Sequence, residues 1–292
     1  MTPGIRHESV DCGAVKLHCA VAGDPGRPLM LFLHGFPEFW GAWREPMAHF
    51  AARGWLAVAP DLRGYNLSDK PKGVEPYKVK HLMADVLTLG AHYATEKFTL
   101  VAHDWGGALA WAVAIGHAQR LERLVAINSP HPYVFWRELS NNPAQQKASE
   151  YMNLFRLPKA ERVLSENGYA RLLPSFMHLS EAWRAELVEA WSQPGALTGG
   201  LNYYRASPLY PPTAGDPGPM KLQFKPEDFM VRVPTLVLWG ERDTALLTGC
   251  LEGLKQCVPD LKLVRVADAS HWIVHEKSDL VCGEIERFIN HE

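Results

Sequence analysis

Asp104 lies in the run Val101-Ala102-His103-Asp104-Trp105-Gly106-Gly107, where an apolar segment passes through small residues into a helix-forming stretch. This is the pattern of a nucleophile elbow, with a carboxylate where serine or cysteine usually stands. The change of residue changes the chemistry. A serine attacking saturated carbon forms an ether, which water does not readily cleave. An aspartate forms an ester whose carbonyl belongs to the protein, so water can attack it and free the nucleophile. The pattern therefore points to displacement at sp3 carbon, at an epoxide or a carbon–halogen bond. Gly106 and Gly107 leave room for a tight strand-to-helix turn, and the helix N-terminus favours an ionised Asp104. Read alone, Asp104 also suits a helix N-cap.

The downstream residues favour the nucleophile. Gly240-Glu241-Arg242-Asp243 follows one late strand-like segment, and Ser270-His271-Trp272 follows the next. His271 suits the base that activates water. Asp243 suits the acid that holds the imidazole's tautomer and stabilises the imidazolium. Glu241 competes for the acid role but should point elsewhere from its position two residues earlier. The order nucleophile, acid, histidine is that of the α/β hydrolases. His271 and His275 have metal-ligand spacing, but no Glu follows His271 and no third ligand suggests itself, so no metal is expected.

The elements that must carry these residues alternate. Strands are predicted over Ala14–Ala22, Leu29–Leu33, Trp55–Ala59, Phe98–Ala102, Leu124–Ile127, Thr235–Trp239 and Lys262–Val266. Helices are predicted over Trp43–Arg53, Tyr77–Ala94, Trp105–His117, Thr244–Gln256 and Ser270–Phe288. Such alternation implies a mostly parallel sheet with helices on both faces. Asp104, Asp243 and His271 then sit past strand carboxyl ends, where open α/β sheets bind ligands. From Tyr133 to Tyr204 the periodicity is helical throughout, and Tyr210–Pro219 is a Pro/Gly-rich connector. The predicted organisation is an α/β core over residues 1–132, a helical cap over 133–221, and the rest of the core over 222–292.

Bulk composition excludes several classes. A net charge of −2 over 292 residues offers no electrostatic case for nucleic acid or anionic membrane. No apolar run approaches the roughly 20 residues that span a bilayer. Met1–Gly13 lacks the basic and apolar regions of a signal peptide. Five cysteines without C-x-x-C spacing fit reduced thiols in a cytoplasm. Among the ten tryptophans, Trp40, Trp105, Trp239 and Trp272 fall near the site loops, as in an aromatic-lined pocket or simply in the core. The expected partner is a small molecule, and either a monomer or a homo-oligomer is compatible with this composition.

Over nearly its whole length the chain resembles the soluble epoxide hydrolases of the α/β-hydrolase fold. His103-Asp104-Trp105-Gly106-Gly107 looks like that family's nucleophile motif, and His34-Gly35-Phe36-Pro37 like its oxyanion loop. The resemblance implies that the backbone N–H groups of Phe36 and Trp105 form the oxyanion hole, and that Phe36, Trp105 and Trp272 contact substrate. It also implies two cap tyrosines. A departing ring oxygen needs a donor protonated at neutral pH, which tyrosine supplies. Tyr151, in Glu150-Tyr151-Met152-Asn153-Leu154-Phe155, resembles the first. Tyr204 resembles the second, since it shares a helical stripe with Leu197 and Leu201 while Tyr203 points away. The expected enzyme opens an epoxide to a vicinal diol without metal or organic cofactor. Glu38 suits either the hydrolytic water or a loop salt bridge. Asp61, Arg63 and Asp69 suit loop bracing. A fluoroacetate- or haloalkane-type dehalogenase shares the nucleophile and base, although a haloacid enzyme should carry arginine where Trp105 stands. A hydrolase-fold binding protein with little turnover is the third reading.

Overall fold

Apolar runs bounded by turns form strands covered on both faces, as in any parallel sheet flanked by helices. In the computed structural model, which describes residues 4–94 and 96–290, eight strands make one sheet. They are β1 (Ile5–Asp11), β2 (Lys16–Ala22), β3 (Leu29–Leu33), β4 (Leu56–Pro60), β5 (Phe98–His103), β6 (Leu121–Ile127), β7 (Thr235–Gly240) and β8 (Leu261–Val266). Their spatial order is β1-β2-β4-β3-β5-β6-β7-β8. The β1–β2 and β2–β4 pairs are antiparallel and all others parallel. Every residue of β3, β4, β5 and β7 is buried. This is the α/β-hydrolase fold that the alternation predicts.

Helices α1 (Arg44–Ala51), α2 (Val79–Tyr93) and α3 (Asp104–Gly116) belong to the first half of the core. Between β6 and β7 the chain adds no strand to the sheet. It forms α4 (Pro132–Asn141), α5 (Pro143–Ala148), α6 (Glu150–Arg156), α7 (Ala160–Tyr169), α8 (Glu181–Ser192) and α9 (Ala196–Ala206). Helices α10 (Ile273–Glu276) and α11 (Ser278–Asn290) close the chain. Among the described residues no helix is long and apolar enough to cross a membrane.

The inserted helices are tied to the core by polar contacts as well as packing. Tyr203 donates its hydroxyl to the Arg63 carbonyl at 2.9 Å, and Asn202 donates to the Gly73 carbonyl at 3.0 Å. The Trp191 indole donates to the Pro37 carbonyl. Gly199 lets α9 approach the loop after β4: a Cβ there would lie 2.2 Å from the Gly64 carbonyl oxygen. Below this contact Arg63 makes a buried two-pronged pair with Asp85, at 2.7 and 2.6 Å. Asp61 accepts hydrogen bonds from the backbone of Trp40 and Leu67, and Asp69 accepts one from Lys16. These residues brace the loop as expected.

Three expectations need correction. β1 was not predicted, because Ile5–Asp11 is an edge strand whose polar residues face water and obscure the alternation. Thr244–Gln256 is not an α-helix. It contains two short 3-10 turns, Thr248–Leu251 and Leu254–Gln256, separated by Gly253 at φ +69°. The last helix begins at Ile273 rather than Ser270 and breaks at Lys277, whose backbone is at φ −138°.

Candidate active site

The elbow is built by three close approaches. β5 ends at His103 in extended backbone, and Asp104 turns the chain into α3 with φ +51°. A non-glycine residue there is strained, at a cost on the order of 1–3 kcal/mol that the surrounding contacts must hold. Gly35 makes room for the side chain, since a Cβ on it would lie 2.2 Å from Asp104 Oδ1. Ser129, just past β6, donates its hydroxyl to the Asp104 carbonyl at 2.8 Å. The Phe36 N–H donates to Asp104 Oδ1 at 2.7 Å. The peptide between Phe36 and Pro37 is cis. Trp105 is in the first turn of α3, where a backbone N–H has no partner in the helix's own ladder.

His271 meets Asp104 from the other side. Its Nε2 lies 3.7 Å from Asp104 Oδ2, and its Nδ1 lies 2.7 Å from Asp243 Oδ2. Asp243 is buried and saturated with donors: Asn128 Nδ2 at 2.9 Å and the backbone N–H groups of Ala245 and Leu246 at 2.8 and 2.9 Å. Burial alone would raise its pKa, but His271 and these donors hold it below the usual carboxylate range. For His271, burial would lower the pKa. The charge and hydrogen bond of Asp243, followed by the charge of Asp104, more than offset this and push it up to about 9. Glu241 pairs instead with Arg265, away from the imidazole.

Tyr151 and Tyr204 face the same space. Their ring centroids are 6.2 Å apart, and Tyr204 also packs edge-on against Phe36 at 5.4 Å and Trp105 at 5.0 Å. Among the described residues neither hydroxyl donates to a protein group, whereas that of Tyr203 is committed to Arg63. Burial, followed by nearby anionic groups including Asp104, pushes both tyrosines well above the ordinary phenol value. Both rings, with Asp104, line two lobes of empty space that share these three residues. One lobe, about 550 Å³, is walled by Trp105, Ala108, Phe135, Met152 and Leu246. The other, about 660 Å³, is walled by Phe36, Phe155, Leu172, His271 and Trp272, with Arg171 and Ser175 also lining it. Trp105 and Trp272 thus line the cavity, while Trp40 and Trp239 are buried in the core.

The same pieces recur in known proteins. Residues 28–278 match the family model described as alpha/beta hydrolase fold. Mouse epoxide hydrolase 4 is 35% identical over 95% of this chain and 77% of its own length. The AB hydrolase superfamily protein YfhM of Bacillus subtilis is 36% identical over 99% of both chains. A Bacillus megaterium epoxide hydrolase, solved with an inhibitor, superposes with TM-score 0.89 at 32% identity, covering 97% of this chain and 100% of that one. The chain belongs to the epoxide hydrolase family of α/β hydrolases. Within this family member, the sequence reading missed Asn128, which spans Asp243 and Gly240, and Ser129, which steadies the elbow. The abrupt end of β6 at Asn128-Ser129-Pro130 was the available signal. It also missed His103, whose Nε2 donates to the His271 carbonyl at 2.9 Å. Glu38 makes the expected loop ion pair, but inside the protein rather than at its surface. It is buried, with Oε1 2.5 Å from His275 Nε2 and Oε2 3.5 Å from His103 Nδ1. His275 spends its outer nitrogen there.

Proposed function

We propose that this protein hydrolyses an epoxide to a vicinal diol through a hydroxyalkyl ester on Asp104. The observation that carries this reading is the convergence of Asp104, His271, Tyr151 and Tyr204 on one cavity. Asp104 Oδ2 attacks a ring carbon, forming the ester as the ring C–O bond breaks. Tyr151 and Tyr204 hydrogen-bond to the ring oxygen and supply the proton its alkoxide needs. Their raised pKa values keep them protonated at neutral pH. Helices of the 133–221 cap hold both tyrosines over the core segments 1–132 and 222–292.

The second half-reaction uses a charge that the first removes. Before attack, the Asp104 charge helps keep His271 protonated. Esterification neutralises Asp104, so His271 loses part of that stabilisation and yields its proton more readily, to the tyrosinate that ring opening leaves behind. Neutral His271, oriented by Asp243, then takes a proton from water as the water attacks the ester carbonyl. The oxyanion forms on Oδ1, which already accepts from the Phe36 N–H, with the Trp105 N–H as the second donor that the motif implies; one such donor is worth about 2.7–4 kcal/mol. Collapse expels the diol oxygen, which takes the proton from His271; the second proton of the water, left on the Asp104 carboxyl, then passes to His271 and restores the starting pair of ionised Asp104 and imidazolium. The tyrosine pair favours an alkoxide over a halide leaving group, since a halide needs no proton.

The test is a His271→Gln variant incubated with styrene oxide and examined as the intact protein by mass spectrometry. A mass gain equal to one epoxide, mapped to Asp104, is the expected result. Undiminished diol formation with no adduct would sink the mechanism. Parallel assays with fluoroacetate and chloroalkanes should release no halide.

A further inference from the structure

The two lobes that meet at Asp104 differ in one respect. The lobe against Trp105 carries no charged side chain beyond Asp104 itself. The lobe against Trp272 is lined by His271 and also by Arg171, an exposed arginine outside the proposed machinery, and the hydroxyl-bearing Ser175. Glu166, the acidic residue closest to Arg171 in sequence, pairs with Arg162, and Arg171 forms no ion pair among the described residues.

Its position is built by the backbone. Asn167, Gly168 and Tyr169 are consecutive left-handed residues at φ +53°, +65° and +63°. Two of them are not glycine, so the turn is held against an intrinsic cost. Tyr169 packs on Trp191 at a centroid distance of 5.3 Å, and its hydroxyl lies 3.1 Å from Ser192 Oγ. On the other side of Arg171, Leu172 is buried. The backbone that carries Arg171 is therefore held between Tyr169 and Leu172, and Arg171 borders the same space as His271.

We propose that Arg171 is a specificity residue that binds a carboxylate on the substrate. The preferred epoxide is then unsymmetrical, with an apolar arm in the Trp105 lobe and an arm ending in a carboxylate in the Trp272 lobe. The guanidinium fork suits a planar carboxylate in two-point contact, and Ser175 supplies a further hydroxyl donor. The charge of Arg171 also offsets the repulsion between an anionic substrate and ionised Asp104. This assignment deepens the proposed epoxide hydrolysis and rests on it for the word substrate. The binding claim stands or falls separately.

Two measurements on the full chain separate the claims. First, an alkanoic acid and its primary amide are titrated against the intrinsic tryptophan fluorescence, with wild type and Arg171→Gln. The acid should bind wild type about fivefold more tightly than the amide, and R171Q should erase the difference. The preference should also fall as salt is raised. Equal acid-to-amide ratios in wild type and R171Q would overturn the proposal whether or not any epoxide is turned over. Second, kcat/KM is compared for an epoxy acid, its amide and styrene oxide. R171Q should lower kcat/KM for the acid about fivefold more than for the amide or for styrene oxide. An equal fall on all three would assign Arg171 a structural role and overturn the carboxylate site. Failure of wild type to turn over any of the three would remove the epoxide reading alone.

Discussion

Two histidine–carboxylate pairs stand four residues apart in the sequence, and only one leaves a ring nitrogen facing Asp104. His271 gives Nδ1 to Asp243 and leaves Nε2 facing Asp104 across 3.7 Å. His275 commits Nε2 to Glu38, so its outer nitrogen is already used. The charges run in the same direction in both pairs. For both histidines burial lowers the pKa, and the carboxylate partner outweighs burial. The difference lies in which ring nitrogen meets the carboxylate and what the other faces. A charge pair alone therefore marks neither site nor scaffold; the tautomer and the open nitrogen do.

The largest expected contrast is between removing each imidazole. On the proposed route His271→Gln should lower steady-state diol formation about 10⁴-fold, while His275→Gln should stay within about tenfold of wild type. An equal collapse in both would show that the buried pair takes part in turnover. Asp243→Asn should cost about 10³–10⁴ in kcat by presenting the wrong tautomer. Glu38→Gln should act mainly on stability. It leaves a buried imidazole without its counter-charge, a loss of about 3–5 kcal/mol in urea unfolding.

The smallest effects should appear in pH titrations. His271 should titrate near 9 in the resting enzyme rather than at the ordinary 6.5, and lower in Asp104→Asn, as followed by imidazole NMR signals. Because its folded pKa is raised, its stabilising contribution is full below about 6.5 and is lost as pH rises through about 9. Glu38 behaves oppositely. Burial pushes its pKa up, but His275 and His103 outweigh burial and hold it below the ordinary carboxylate value of 4.5. Its contribution is present above that value and is lost as pH falls through the lower, folded one.

Much of the site was legible because each piece carries a local signature. The Gly106-Gly107 turn after an apolar strand marked Asp104, and helical spacing separated Tyr204 from Tyr203. The buried pair was not legible. Glu38 and His275 are 237 residues apart, and nothing local to either records the other. The segment after Asp243 misled for a physical reason. Leu247, Cys250, Leu251 and Leu254 have helical spacing. However, Gly249 and Gly253 weaken a helix there, and Asp243 takes the N–H groups of Ala245 and Leu246. The residues holding the acid thus override the periodicity. β1 was lost to its edge position, where sequence alternation is weakest.

The Phe36 hydrogen bond to Asp104 Oδ1 makes the two carboxylate oxygens distinguishable before any substrate arrives. On the proposed route the tethered oxygen, Oδ1, becomes the ester carbonyl, and Oδ2 becomes the bridging atom that leaves in the diol. Water then supplies the replacement. The protein is therefore a consumable source of one atom per cycle. In heavy-oxygen water, the first diol released should be light at the newly formed hydroxyl, and the isotope should appear in Asp104. Later diols carry the label only because the enzyme has already taken it up.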